Sequence, residues 1–342
     1  MRMNRVLDLQ RQLVAAASPS GQEQQSISPL LCRLAKPHVD EIRTDALGNL
    51  ICRKQGGGGK RIVIAAHMDV VGLIVTWLDD EGFVRFDALG GHSPVELINT
   101  RFRFANGISG LIRLKESADK QKKPLEALKL SDLYMDVGAY SKAELKRHIR
   151  IGDTAIFEGQ PQPLAGDRIM GPYADALCAC TALLLTMEDL PRGEHEVCFV
   201  FTAQEEYGSR GMMTAAYALE PDIGLAVDVT LAGDTPQTDE VRFAVELGKG
   251  VALKVKDMSV ITSPALNTSL KKVAAREKIP LQTEVLPFGG TDTSMLQTSR
   301  AGIPVTCLSI PCRNIHSPVE IFSAADVENT SRLLRAAVLA SY

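Results

Sequence analysis

Apolar positions in the first fifteen residues recur at helical spacing, with Val6, Leu9 and Leu13 on one face, and the pattern stops at the turn signal SPSG (18–21). Beyond it, LGNLICRK (47–54) and RIVIAAH (61–67) read as strands on either side of a glycine tract at 56–59. That tract lacks the Gly-Lys-Ser/Thr and following helix of a phosphate-binding loop, so it reads as a hairpin tip. After residue 70 the texture changes. GLIVTWLDDEGFVRFDAL (72–89) and RFRFANGISGLIRLK (101–115) alternate and are broken by Gly and Asn, which predicts short antiparallel strands. The charged stretch KESADKQKKPLEALK (115–129) predicts a solvated loop, and the β-rich texture resumes as far as GDTAIFEGQP (152–161). Residues 71–164 are therefore expected to form an inserted barrel or sandwich.

From residue 165 helices and apolar strands alternate. DALCACTALLLTMEDL (175–190) predicts a long apolar helix that carries Asp175 in its first turn. VCFVFTA (197–203), IGLAVDV (223–229) and IPVTCLSI (303–310) are nearly continuous apolar runs, as expected of strands buried on both faces. LNTSLKKVAAREK (266–278) places Leu266, Leu270 and Val273 on one side of a helix. Ser323 and Asp326 form a capping pair ahead of a final helix whose Val327, Leu334 and Val338 share a face. The expected architecture is α/β: a mostly parallel sheet flanked by helices, built from residues 1–70 and 165–342, with the β-rich insertion at 71–164.

Composition narrows the function classes. A chain with 45 % hydrophobic and 23 % charged residues has the balance of a soluble globular protein, long enough for one large domain carrying a smaller one. A formal net charge of −3 gives no electrostatic reason to expect nucleic acid or an anionic membrane as partner. Neither a signal peptide nor a membrane span is legible. Seven cysteines without paired spacing argue against a disulfide framework, so buried thiols in a reducing cytoplasm are expected.

The chemistry is concentrated where strands end. VCFVFTAQEE finishes in the adjacent acids Glu205 and Glu206, which repel each other and lose hydration near a core unless positive charge lies between them. RIVIAAHMD ends in His67 with Asp69 two residues on, IGLAVDV carries Asp228, and His316 follows IPVTCLSIPCRNIHS. Ligands of open α/β sheets gather beyond the carboxyl ends of the strands. Singly each residue has an ordinary explanation, such as a hydrogen-bonded loop histidine or a helix-terminal acid. Together on one sheet edge they are imidazole and carboxylate ligands suited to two zinc-like dications. Alternating side chains of an extended segment would let Glu205 and Glu206 serve different roles, one as ligand and one as proton carrier for a bridging water. Asp69 is placed to hold the far nitrogen of His67.

The order His-x-Asp, Asp, Glu-Glu, Asp, His resembles the co-catalytic dinuclear metallopeptidases. The stretches AAHMDVVG, QEEYGSRG, AVDVTLAGDTP, GKGVAL, PFGGTDTSMLQTSRAGIP and SIPCRNIHSPVE narrow the resemblance to the M42 aminopeptidases, over nearly the whole chain. The resemblance implies that His67, Asp175 and Asp228 hold one metal and Glu206 and His316 the other, with Asp175 bridging. It implies Glu205 as general base, Asp69 as the residue orienting His67, and two divalent ions (Zn, Co or Mn) per subunit. It also implies short peptide substrates and self-association through the insertion, up to a dodecamer built from dimers. The chain departs from the family pattern where Asp-Asp-Arg-x-Gly is replaced by Asp175-Ala176-Leu177-Cys178-Ala179, where Val70 stands in place of Glu, and where Asn314 stands in place of an aromatic residue. The function expected is a cytoplasmic aminopeptidase. The alternatives are a deacylase of N-acyl amino acids on the same metals, or a catalytically weakened homologue serving in assembly.

Overall fold

Four strands make the middle of the main sheet: β1 (Arg61–His67), β2 (Glu196–Thr202), β3 (Ile223–Leu231) and β4 (Val305–Arg313). In this computed structural model, which describes residues 2–116, 124–236 and 245–340, they run parallel in the spatial order β4–β3–β1–β2. Their apolar runs are continuous because both faces are covered. Ile62, Ile64 and Ala66 of β1 join the core on one side, while Val63 and Ala65 join the core on the other. In β2, Val197, Phe199 and Phe201 take the first side and Cys198 and Val200 the second. Helices α1 (Arg2–Ala15), α2 (Ala174–Asp189) and α3 (Ala324–Val338) supply the first core, and Arg210–Leu219 and Thr293–Gln297 the second. Burying a side chain such as Phe199 or Phe201 contributes about 1.5–3 kcal/mol, so the strands leading to the site are anchored in the core.

The whole sheet is mixed, which corrects the expectation of a mostly parallel one. Leu50–Lys54 and Glu41–Thr44 continue it antiparallel beyond β2; Glu320–Ser323, Arg168–Gly171 and Gln162–Pro163 do so beyond β4. Val251–Lys256 pairs antiparallel with β4 and parallel with Leu281–Val285. Connection length explains the difference. Short links such as 45–49 and 314–319 can only return a strand antiparallel, whereas parallel neighbours need long crossovers.

Between Gly72 and Phe157, six strands close into a barrel: Gly72–Leu78, Phe83–Leu89, Arg101–Phe104, Ser109–Leu114, Leu133–Asp136 and Thr154–Phe157. Every neighbouring pair is antiparallel, and Val84, Phe102, Ile112, Leu133 and Met135 are buried. The barrel alternative of the sequence reading therefore holds over the sandwich. Part of the charged loop expected at 115–129 lies outside the described residues, at 117–123. The chain enters the barrel through Asp69–Val70, which pairs parallel with Ser18–Pro19. Ser323 caps α3 by accepting the Asp326 amide at 3.3 Å. All seven cysteines are free, and no described helix is long and apolar enough to cross a membrane.

Candidate metal centre

The parallel strands deliver their carboxyl ends to one place. His67 is the last residue of β1 and pairs with Thr202, the last of β2, so the loop bearing Glu205 and Glu206 starts beside it. Asp228 lies within β3, whose neighbours β1 and β4 lead to His67 and His316. Asp175 sits at the centre. Its Oδ1 is 3.1 Å from His67 Nε2 and its Oδ2 is 3.2 Å from His316 Nε2. Asp228 Oδ1 lies 3.6 Å from His67 Nε2, and Glu206 Oε1 lies 3.2 Å from His316 Nε2. One carboxylate thus joins a His67–Asp228 half to a His316–Glu206 half. Donor atoms of His67, Asp175 and Glu206 all fall within 4.8 Å of one another. Glu205 stands beside the cluster and accepts the Ser209 hydroxyl at 3.1 Å.

Electrostatics at this edge follow from burial and mutual charge. Burial drives Glu205 well above the usual carboxylate range, and raises Glu206 and Asp228 with the neighbouring acids adding to it. Burial opposes ionisation of Asp175 too, but the two imidazoles override it and hold that acid well below its ordinary value. Burial would lower both histidines. Asp175 and Asp228 instead raise His67 well above normal, and Glu206 with Asp175 raises His316 to about 12. Four acids around two imidazoles leave an excess of negative charge at low dielectric, an environment that calls for cations. Glu206 Oε1 is buried and, apart from its ionic contact with His316 Nε2, makes no well-aligned hydrogen bond. His67 Nδ1 lies 3.0 Å from the Asp69 carbonyl, to which it donates, so Nε2 is the nitrogen turned toward the acids and the one a metal would use. The donor set fits divalent ions of the zinc, cobalt or manganese type.

Three local details differ from the sequence reading. The Asp69 carboxylate does not hold His67 directly, since Oδ1 is 3.7 Å from Nδ1 and the backbone carbonyl makes the contact. That carboxylate instead accepts the amides of Glu205 at 3.0 Å and Glu206 at 3.2 Å, and the Ser20 hydroxyl at 2.6 Å. Glu205 and Glu206 do not lie on an extended segment, because Gln204 adopts a left-handed φ of 57° and turns the chain. Asp175 falls inside α2 but has the non-helical φ, ψ of −77° and 111°, so it stands ahead of the regular helix rather than in its first turn.

The protein-family model described as M42 glutamyl aminopeptidase matches residues 48–333. The chain belongs to the M42 family. Its reaction class is accordingly that of a metal-dependent aminopeptidase, a hydrolase. The lysyl aminopeptidase of Pyrococcus furiosus is 33 % identical over 339 residues, covering 96 % of this chain and 95 % of its own. Among solved structures, aminopeptidase APDkam598 of the archaeon Desulfurococcus kamchatkensis matches with a TM-score of 0.95 at 34 % identity, covering 100 % of this chain and 96 % of that one. The TET1 peptidase of Pyrococcus horikoshii, described as able to assemble into a tetrahedron or a large octahedral shell, matches with a TM-score of 0.85 at 29 % identity and 98 % coverage of both chains.

Within this M42 aminopeptidase further buried acids support the cluster, and the sequence reading missed them. Glu320, 1 % exposed, accepts the Asp175 amide on Oε2 and the His316 amide on Oε1, both at 2.9 Å. Glu23 accepts the amides of Gly21 at 2.9 Å and Gln204 at 3.0 Å. Asp292 accepts the Thr202 hydroxyl at 2.5 Å and is pushed up to about 7 by burial. A carboxylate that binds backbone amides leaves no spacing signature. The only available signals are the turn SPSG just before Glu23 and the nearness of Glu320 to His316 in the chain. Of the departures from the family pattern, Val70, Ala176 and Leu177 are fully buried in the core, whereas Asn314 is exposed. The barrel supplies one wall of the site. A Cβ at Gly91 would come within 3.1 Å of His316 Nδ1, and one at Gly90 within 3.1 Å of Glu206 Oε2.

Proposed function

We propose that the cluster holds two divalent cations, His67 and Asp228 on one, Glu206 and His316 on the other, with Asp175 reaching both. The single observation that carries this reading is the Asp175 carboxylate, whose two oxygens face the two imidazoles at 3.1 and 3.2 Å. Bound cations would lower the pKa of water to near neutrality and polarise the scissile carbonyl. The remaining tasks fall to the chain's own residues. Glu205, kept basic by burial and outside both ligand halves, takes the proton of the attacking water at its carboxylate and passes it to the departing amine. Asp69 positions it by fixing the amides of Glu205 and Glu206. The substrates are short peptides with a free amino terminus.

Residues 1–70 and 165–342 form the peptidase unit in this reading, and 71–164 form an inserted assembly unit. The likeness to the TET1 peptidase, described as assembling into a tetrahedron or a large octahedral shell, supports self-association, which this reading takes up to a dodecamer built from dimers. The experiment is a metal add-back to chelated protein with Zn, Co and Mn. Metal content and hydrolysis of leucyl anilide and acetyl-leucine are measured for the wild type and Glu205→Gln. Two ions per chain, turnover of the anilide, and a loss of about 10²-fold or more in kcat for Glu205→Gln with metal retained are expected. Exclusive turnover of acetyl-leucine would point to a deacylase, and wild-type turnover by Glu205→Gln would remove that residue from its role.

A further inference from the structure

We propose that the cleft beside the metal centre selects peptides whose amino-terminal side chain is neutral and apolar, of leucine or methionine size, and rejects acidic and basic ones alike. The inference rests on the aminopeptidase reading above. The cleft has a volume of about 660 Å³, ample for such a side chain. Beyond the cluster, Leu231, Leu286, Phe288, Met295 and Ile315 line it, contributed by separate segments that converge on the same edge as the ligands.

One cation also lines this space, Lys254, and a lysine in a substrate cleft is the ordinary device for gripping a carboxylate. Its geometry argues against that use. Lys254 is 1 % exposed, and its Nζ lies 2.9 Å from Asp257 Oδ2 and 3.3 Å from Glu284 Oε1. Glu284 Oε1 is fixed in turn by the Thr230 hydroxyl at 2.9 Å. The ammonium is already held by two carboxylates, so Lys254 offers no free positive charge to an acidic side chain. Those two acids are themselves buried and neither lines the cleft, so neither faces a basic one. Among the described residues lining the cleft, every other charged group belongs to the metal cluster or is Glu205. A charged side chain would shed its water against leucine, phenylalanine and methionine without a counter-charge, whereas an aliphatic one gains by the same burial.

The test uses wild-type protein reloaded with cobalt or zinc and measures kcat/KM on leucyl, methionyl, glutamyl and lysyl p-nitroanilides. The leucyl and methionyl substrates are expected to exceed the glutamyl and lysyl ones by about 100-fold or more. A glutamyl or lysyl rate equal to the leucyl rate overturns the inference. Met295→Glu, which puts an unpaired acid into the wall, is expected to reduce the leucyl-to-lysyl ratio by about tenfold or more at unchanged metal content. An unchanged ratio in a folded variant overturns the assignment of the wall, and the wild-type panel decides alone where the variant does not fold. Turnover of none of the anilides removes the aminopeptidase reading and this inference with it, which separates that failure from a reversed preference.

Discussion

Asp69→Asn separates two roles that the chain could give this acid. The carboxylate accepts three donors, Ser20 and the Glu206 amide on Oδ2 and the Glu205 amide on Oδ1. An asparagine keeps two of them by placing its oxygen at the Oδ2 position, and then turns its NH2 toward the Glu205 amide. One charge-assisted bond is lost and a buried donor is left facing a donor, so unfolding should become easier by about 2–3 kcal/mol. The Glu205 turn must also shift, and a misplacement of about 1 Å in a reacting group costs about 10²-fold in rate. His67 is untouched, because the Asp69 backbone carbonyl holds its Nδ1. Metal affinity should therefore change by less than about tenfold while kcat falls about 10²-fold. Urea unfolding, competitive titration of cobalt or zinc, and kcat at saturating metal measure the three quantities. A metal affinity reduced by about 10–100-fold with kcat per bound metal intact would show that the carboxylate acts on His67 after all, and refute the reasoning.

Glu320→Gln can accept only one of the Asp175 and His316 amides, so metal affinity should fall at least about tenfold at saturating folded protein; an unaltered titration would deny Glu320 its positioning part. Lys254→Met strands Asp257 and Glu284 in the core and should lower unfolding free energy by about 3–5 kcal/mol, whereas a loss below about 1 kcal/mol would mean the buried pairing is not made. Asp326 is fully buried and pushed up to about 6 by burial, although the amides of Gly248 and Gly250 favour its charge. An acid raised on folding stabilises fully below its ordinary value and loses that contribution as pH rises through the folded value. Between about pH 4 and 6, wild type should lose stability relative to Asp326→Asn, by of order 2–3 kcal/mol in all, and parallel pH–stability curves would contradict this.

Legibility in the sequence followed burial. The four central strands were visible because helices on both faces keep their runs uninterrupted, and His67, Glu205, Glu206 and His316 stood out because each ends or follows such a run, whereas Asp228 lies inside one and Asp175 just ahead of a helical one. The edge strands Glu41–Thr44 and Leu281–Val285 were not, since mostly solvated strands carry no apolar periodicity. The helix Arg210–Leu219 buries Met212, Ala215, Ala216 and Leu219, but Met213 and Tyr217 on its exposed side blur that stripe. The turn at Gln204 was hidden for another reason. A left-handed φ at a residue other than glycine is imposed by its surroundings, here by Glu23 and Asp69 gripping successive amides. Tyr173, Ser209, Asn314 and His316 share that conformation around the same cluster. Local strain gathers where distant segments dictate the geometry.

A hoop of six strands has no spare rim of amides and carbonyls. Neighbouring molecules therefore cannot be recruited to it by lengthening a sheet, the route by which exposed borders drift into fibrous aggregates. Any docking through this module has to rely on side chains and loops, a vocabulary that single substitutions can rewrite without disturbing the hoop itself.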